Sequence, residues 1–255
     1  MVAQELKSAG FKVYAAARRV DHMADLEKDG ITPVALDLPR DGSIAACVNT
    51  ILSKEKSIDV LVNNAGYGSY GAIEDVPLEE GRRQFEVNLF GMARLLRLVT
   101  PAMRERHYEK IVNISSMGGK IWTKFGGWYH ATKYAVEGLS DCLRMELQPF
   151  GIDVVVVEPS GIKTDWGLIA AENLKKTSTN GAYAEMANKA ADGMIKNYSG
   201  DLLSKPALIA KTVRKAVTKR RPRTRYLVGF GAKPMVWTHR LFGDRVFDWV
   251  LRTFS

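Results

Sequence analysis

Short apolar runs recur along the chain at Lys12–Ala17, Thr32–Leu36, Val60–Val62, Ile111–Ile114, Val154–Val157 and Tyr226–Val228. Each is rich in Val, Ile or Ala and lacks the polar alternation of a half-exposed strand. Such runs suit strands buried on both faces. Between them, apolar positions recur at helical spacing over Gly42–Lys56, Gly81–Arg106 and Trp128–Phe150. Alternating strand and helix predicts an α/β fold: a doubly wound parallel sheet with helices on both faces. Residues 165–204 are the least strand-like stretch, polar with scattered apolar positions. No internal repeat or low-complexity segment interrupts the pattern.

The length of 255 residues predicts a single domain over 1–255. The hydrophobic fraction of 46% and charged fraction of 25% are those of an ordinary globular chain. No apolar run is long enough to span a bilayer, and the first residues, Met-Val-Ala-Gln-Glu-Leu-Lys, carry no secretory pattern. Cys47 and Cys142 both sit in amphipathic patterns and read as small buried apolar residues, which fits a reducing, cytoplasmic setting. The net charge is +9, and much of it lies in Lys211–Arg225, which contains Lys219-Arg-Arg-Pro-Arg223. We read this as a solvated helix end and loop. With no nucleic-acid module beside it, no nucleic-acid partner is expected. A basic C-terminal region joined to the apolar Phe242–Phe254 leaves room for peripheral contact with a lipid surface.

Chemistry concentrates in Trp128-Tyr-His-Ala-Thr-Lys133, where Tyr129 and Lys133 stand one helical turn apart. A phenol facing an ammonium at this spacing can have its pKa lowered, and a phenol tuned towards neutrality serves as general acid and base. Ser115-Ser116 end the apolar run upstream, and a serine hydroxyl can hold a carbonyl oxygen. Taken alone, the Tyr/Lys pair is equally an ordinary cation–aromatic contact on a helix. Its company says more: Asn63-Asn64-Ala65-Gly66 after a strand, Phe85-Glu-Val-Asn88-Leu-Phe-Gly91, Lys110-Ile-Val-Asn-Ile-Ser115-Ser116, and Val154-Val-Val-Val-Glu-Pro159-Ser-Gly161-Ile162-Lys-Thr164. In this order and at these spacings, over almost the whole chain, the motifs resemble the short-chain dehydrogenase/reductase family. Phe11–Arg19 and the block around Ser116 look most like the branch of 17β-hydroxysteroid and retinol dehydrogenase-like enzymes.

That resemblance implies a Rossmann-like fold and a nicotinamide cofactor. By it, Asn64, Ala65 and Gly66 lie against the adenine ribose, and Asp37 and Leu38 flank the adenine, although Asp37 could equally cap the following helix. Arg18 and Arg19 stand where an acidic residue would accept ribose hydroxyls. Guanidinium forks suit a 2′-phosphate instead, so NADP is expected over NAD. Ser116 would hold the substrate oxygen, Tyr129 would move the proton, and Lys133 would lower the tyrosine pKa and hold the nicotinamide ribose. Asn88, a poor former in the middle of a long helix, would mark a kink whose freed carbonyl holds a water beside Lys133. Pro159, Gly161, Ile162 and Thr164 would line the nicotinamide side. Ser160 stands where glycine usually follows the proline, which departs from the pattern.

Residues 165–204 would form the substrate lid. His130, pointing about 100° away from Tyr129, and Glu158 receive no chemistry, and no metal site is expected. Trp122, Phe125, Trp128 and Trp166 fall near the expected pocket and suggest an apolar substrate such as a steroid, retinoid or lipid ketone. The family begins with a strand and a glycine-rich turn; here the chain starts inside what reads as the first helix, without that first strand. A start upstream accounts for this, or a truncated, non-catalytic member acting as a binding protein. The expected activity interconverts a secondary alcohol and a ketone or aldehyde. By resemblance the protein is a homodimer or homotetramer through Gly81–Arg106 and Trp128–Phe150, where Leu95, Leu98, Leu139 and Leu143 fit either an interface or the core.

Overall fold

The computed structural model describes residues 1–106 and 109–253. In chain order its elements are α1 (Val2–Ser8), β1 (Tyr14–Ala17), the short α2 (Ala24–Lys28), β2 (Thr32–Ala35), α3 (Asp41–Glu55), β3 (Val60–Asn63), α4 (Leu78–Phe85), α5 (Gly91–Arg106), β4 (Lys110–Ile114), α6 (Gly127–Leu147), β5 (Asp153–Ser160), α7 (Trp166–Ser178), α8 (Ala184–Ser199), α9 (Ala207–Thr218), β6 (Arg225–Gly229) and α10 (Ala232–Thr253). A π-helical turn, Glu86–Phe90, joins α4 to α5. The long helix read from the sequence is therefore continuous but locally widened.

Every strand pair is parallel. β1 pairs with β2, and β3-β4-β5-β6 form a second sheet in that order. Lys12–Ala17 and Ser57–Asn63 line one and the same cavity, so the sheet is interrupted between β1 and β3, where the sequence pattern lacks a strand. Adjacent strand residues point to opposite faces. Ile111 and Val154 join Ile44, Met92, Val99, Met103 and Leu147 in the core beneath α3, α5 and α6. Their neighbours Val112 and Val155 join Leu6, Ile209, Val213 and Val217 beneath α1 and α9. Burial on both faces is why these strands read as unbroken apolar runs.

Several expectations change on folding. Residues 165–204 hold two helices, α7 and α8, whose small residues Ala170, Ala171, Ala187 and Ala191 are buried in a third cluster with Leu174, Tyr70 and Tyr129. Cys47 is buried, but Cys142 is exposed and free, because its side of α6 faces away from the core. Leu95 is buried, and Leu139 and Leu143 pack against the same core, whereas Leu98 is exposed. Lys219–Arg223 leave the end of α9 as a largely exposed loop.

Polar side chains at the middle of the sheet set the register. Asn63 and Asn113 are opposite one another on β3 and β4. Asn63 Nδ2 donates to Asn113 Oδ1 at 2.8 Å, Asn113 Nδ2 donates to Ser140 Oγ at 2.9 Å, and Ser140 Oγ donates to Val136 O at 2.6 Å. Asn113 is fully buried, so its bonds have no water to replace them. Replacing Asn113 with Ala should cost about 1–3 kcal/mol, the penalty for orphaned buried groups. In a urea-denaturation cycle, the Asn113→Ala/Ser140→Ala pair should lose less than the sum of the single losses. Additive losses would show that the two side chains do not support one another.

Candidate active site

Tyr129 and Lys133 lie one turn apart on α6 and both are buried. The Lys133 ammonium is 5.9 Å from the centre of the Tyr129 ring and donates to Ile114 O at 3.0 Å, at the end of β4. Burial pulls the Lys133 pKa down to about 8, against the raising effect of the Glu137 charge. Burial pushes the Tyr129 phenol up, a hydrogen bond with Ser116 pulls it down, and Tyr198 raises it further. Desolvation is thus the largest influence on the phenol in this arrangement. Ser116 follows β4 in extended backbone, and its Oγ accepts from Gly118 N at 3.0 Å. The Ser115 hydroxyl beside it is buried without a partner.

Asn88 lies in the π turn, a feature common at functional sites. Its Oδ1 accepts from Tyr67 N at 3.0 Å, and its Nδ2 donates to Tyr67 O at 2.9 Å and Thr132 Oγ1 at 3.0 Å. The amide therefore ties the π turn to the loop after β3 and to α6. Gly66 packs against this knot: a Cβ there would stand 3.1 Å from Asn88 Oδ1 and 3.6 Å from Lys133 Nζ.

A cavity of about 2090 Å³ opens over the carboxyl ends of the strands and continues between β1 and β3. It brings together Leu38, Asn64, Ala65, Gly66, Asn88, Ser116, Tyr129, Lys133, Pro159, Gly161, Ile162 and Thr164. A second hollow of about 240 Å³ joins Arg18, Asp37, Leu38, Ala65 and Gly66 to Tyr67 and Arg83. Arg19 is exposed and lines neither. Arg83, on α4, was missed in the sequence because it lies far from the strand end that carries Arg18. Asp37 does not act as the helix cap through its side chain: its backbone N–H is held by Ser43 Oγ at 2.9 Å, and α3 has no side-chain cap. Ser160 sits in β5 with its hydroxyl donating to Phe230 O at 2.9 Å, so the departure from glycine is accommodated by a specific bond. Gly161, at φ 53°, takes the left-handed turn itself.

The residues fit a dinucleotide. Two guanidinium groups sit at one end of the site, a glycine that brings backbone close sits in the middle, and an unpartnered buried hydroxyl with a buried ammonium sits at the other.

Of the aromatic residues expected at the pocket, only Trp166 lines it, 5.0 Å from Tyr129 and 5.9 Å from Tyr70 between ring centres. Trp128 packs on Phe85 and Gly81, Phe125 on Tyr183, and Trp122 on Phe247 of α10. Tyr70, Tyr198, Leu174, Met186 and Met194 supply the apolar lining instead. They come from residues distant in sequence, so spacing gave no signal for them. His130 Nδ1 donates to Gly118 O at 2.9 Å while its Nε2 accepts from Thr123 N at 3.0 Å. It braces the 118–123 loop, in keeping with its non-catalytic reading.

One cluster escaped the sequence entirely. Glu137, a turn beyond Lys133, and Glu158 on β5 are both buried. Lys120 Nζ is 2.9 Å from Glu137 Oε2 and 3.8 Å from Glu158 Oε1. Arg225 Nε donates to Glu137 Oε2 at 3.1 Å and stands 3.2 Å from Glu158 Oε1, which keeps the charge contact without a hydrogen bond. Burial, and then the Glu137 charge, raise the Glu158 pKa to about 7; Lys120 and Arg225 oppose them.

Comparison with known proteins agrees with this geometry. The family model described as short chain dehydrogenase matches residues 1–174. A probable short-chain type dehydrogenase/reductase of Helicobacter pylori, VdlC, is 33% identical over 251 residues, covering 97% of this chain and 90% of that one. A 3-ketodihydrosphingosine reductase of Bacteroides thetaiotaomicron is 36% identical over 186 residues, covering 72% and 67%. Among solved structures, a short-chain dehydrogenase from Streptomyces avermitilis superposes with a TM-score of 0.80 at 33% identity, over 94% of this chain and 87% of that one. An actinorhodin polyketide ketoreductase solved with NADPH superposes at 0.68 with 28% identity, over 84% and 83%. The chain belongs to the short-chain dehydrogenase/reductase family and is an oxidoreductase of that family.

The Glu158 carboxyl gives a testable pH dependence. Its folded pKa of about 7 lies above the ordinary 4.5, so the folded state holds the proton more tightly than the unfolded chain. Its contribution is favourable at low pH and is lost as pH rises from about 4.5 through about 7. Glu158→Gln should therefore remove a fall in Tm across that window that the wild type shows. Parallel Tm–pH curves for the two proteins would overturn the assignment.

Proposed function

We propose that the protein is an NADP-dependent oxidoreductase that interconverts a secondary alcohol and a ketone or aldehyde, with an apolar substrate. The observation that carries this reading is the convergence of Ser116, Tyr129 and Lys133 at the floor of one cavity lined by apolar side chains. When bound, the nicotinamide supplies or accepts the hydride. In reduction, Ser116 donates a hydrogen bond to the substrate oxygen, where negative charge develops. Tyr129 gives its phenolic proton to that oxygen. Lys133 offers a second proton and a positive charge at the same end of the site. Asn88 is a positioning residue that keeps the π turn and α6 in place. Arg18, helped by Arg83, would meet the cofactor's 2′-phosphate. The likeness to a ketoreductase solved with NADPH supports NADP over NAD.

The apolar substrate class is supported by Trp166, Tyr198, Leu174 and the methionines of α8 in the lining, and by the likeness to a 3-ketodihydrosphingosine reductase. We read 1–255 as one domain in which residues 165–204 form the lid: α7 and α8 share a buried cluster with Tyr129. We place the protein in the cytoplasm as a homodimer or homotetramer. Exposed Phe90, Leu98, Tyr134 and Met145 on the π turn, α5 and α6 support self-association there. No described helix is long and apolar enough to cross a membrane.

Two measurements test this reading. Tyr129→Phe, which removes one hydroxyl, should abolish NADPH-dependent reduction across a carbonyl panel while leaving NADPH fluorescence binding intact. No wild-type turnover on any carbonyl would overturn the proposed reaction, and a mutant retaining its rate would remove the tyrosine from the chemistry. Arg18→Ala and Arg83→Ala should each weaken NADPH by about 1.5–3 kcal/mol, roughly 10–100-fold, with little effect on NADH. Equal weakening of the two cofactors would show that these arginines only solvate the surface.

A further inference from the structure

α10 has apolar side chains on both of its sides. Its inner side is satisfied: Phe247 is fully buried and stands edge-on to Trp122 at 5.4 Å, and Trp122 Nε1 donates to Asp248 Oδ1 at 3.0 Å. His239 packs on the same indole at 4.8 Å and pairs with Asp244 at 3.0 Å. The acidic groups of the helix are thereby engaged. Its outer side nevertheless carries Trp237 at 51% exposure, Leu241 at 66%, Phe242 at 64% and Trp249 at 66%. A helix that had only to pack on the core would be polar there.

The outward residues are ordered. Gly243, at φ 73°, divides α10 into two helical halves. In the second half Val246 and Trp249 recur at helical spacing, with Arg245 and Arg252 beside them. In the first, Trp237, Leu241 and Phe242 are accompanied by Lys233 and Arg240. These four cations are exposed, and among the described residues none takes part in an ion pair. The Arg240 guanidinium lies 5.8 Å from the Trp237 ring centre. Aromatic and aliphatic side chains edged by unpaired cations suit the boundary between acyl chains and anionic headgroups. A second copy of the chain suits the surface less well, since a two-fold contact would set these cations against their own kind.

We propose that the outward face of α10 docks the protein on an anionic lipid surface. The same helix begins at the mouth of the active-site cavity, where Phe230, Gly231 and Met235 line the wall. Docking would bring that mouth to the membrane, so an apolar carbonyl compound could enter from the lipid. This last step rests on the activity proposed above; the docking does not.

Sedimentation with phosphatidylglycerol/phosphatidylcholine vesicles, and with phosphatidylcholine alone, tests the proposal on the full chain. Wild type should sediment with the anionic vesicles, several-fold less at high salt, and not with the neutral ones. Phe242→Ser/Trp249→Ser, and separately Arg240→Glu/Arg245→Glu, should bind anionic vesicles at least tenfold more weakly with unchanged Tm. Both should keep the wild-type rate on a small water-soluble carbonyl. Failure of the wild type to sediment, or equal sedimentation of the variants, overturns the docking. So does loss of a lipid-free dimer in the variants, by light scattering, if the wild type does not sediment, for the face is then a subunit contact. Vesicle binding without turnover of any carbonyl would leave the docking standing and remove the proposed activity.

Discussion

The attachment of α6 to the centre of the sheet is the constraint on which the site depends. Asn113, fully buried on β4, reaches sideways to Asn63 on β3 and upward to Ser140 on α6. A buried amide that must satisfy both of its ends permits one register and one helix height, because each alternative leaves polar atoms dry and unpaired. Apolar contacts from Val136 and Leu147 hold the helix down. They would tolerate small slides that the polar tie does not. Tyr129 and Lys133 lie on the same helix and inherit this position, and Lys133 adds its own bond to Ile114 O.

Around that anchor the structure concentrates buried polarity. Lys133, Asn88, Thr132, Glu137, Glu158 and Ser115 are all buried near one end of β4 and β5. Most are bonded, but Ser115 Oγ, Glu137 Oε1 and Glu158 Oε1 are not. Unsatisfied buried groups cost stability, and a fold under no other demand would replace them with apolar side chains. Of the three, Ser115 lines the cavity, whereas the two glutamates lie in the charge cluster with Lys120 and Arg225. Desolvation also acts on both members of the Tyr129/Lys133 pair. It raises the phenol and lowers the ammonium together, so the pair stays closer to neutral than exposed side chains would.

What was legible in the sequence is what depends on local spacing. Strands write themselves as apolar runs, most clearly β4 and β5, which are buried on both faces, and all six were visible. The π turn was foreshadowed by Asn88, a residue that a regular helix does not favour. Motif residues such as Gly66, Ser116 and Thr164 gather at one cavity because each follows the carboxyl end of a parallel strand. Contacts between distant segments were not legible. Arg83 on α4 joins Arg18 at one hollow although the two are 65 residues apart in the chain. Trp122 and Trp128 resemble pocket residues in sequence but turn to α10 and α4. The acid cluster of Glu137 and Glu158 needs α6, β5 and β6 brought together before it exists.

Across the interruption between β1 and β3 the two sheets meet without strand pairing. The β1–β2 pair has no strand hydrogen bonds to the four-stranded sheet. It is joined to it through apolar contacts, with Val13 and Ala15 in one cluster with Val60 and Val62, and Leu36 and Leu38 packed beneath α3 and α5. Such contacts are non-directional and leave the spacing of the two sheets less strictly set than a shared ladder would. A molecule that touches Arg18 and Asp37 on one side and Asn64, Ser116 and Lys133 on the other spans both parts. By mass action, whatever binds only the folded arrangement stabilises it. A ligand that met Arg18 and Lys133 alike would add its contacts across the line where no ladder bonds join the two sheets.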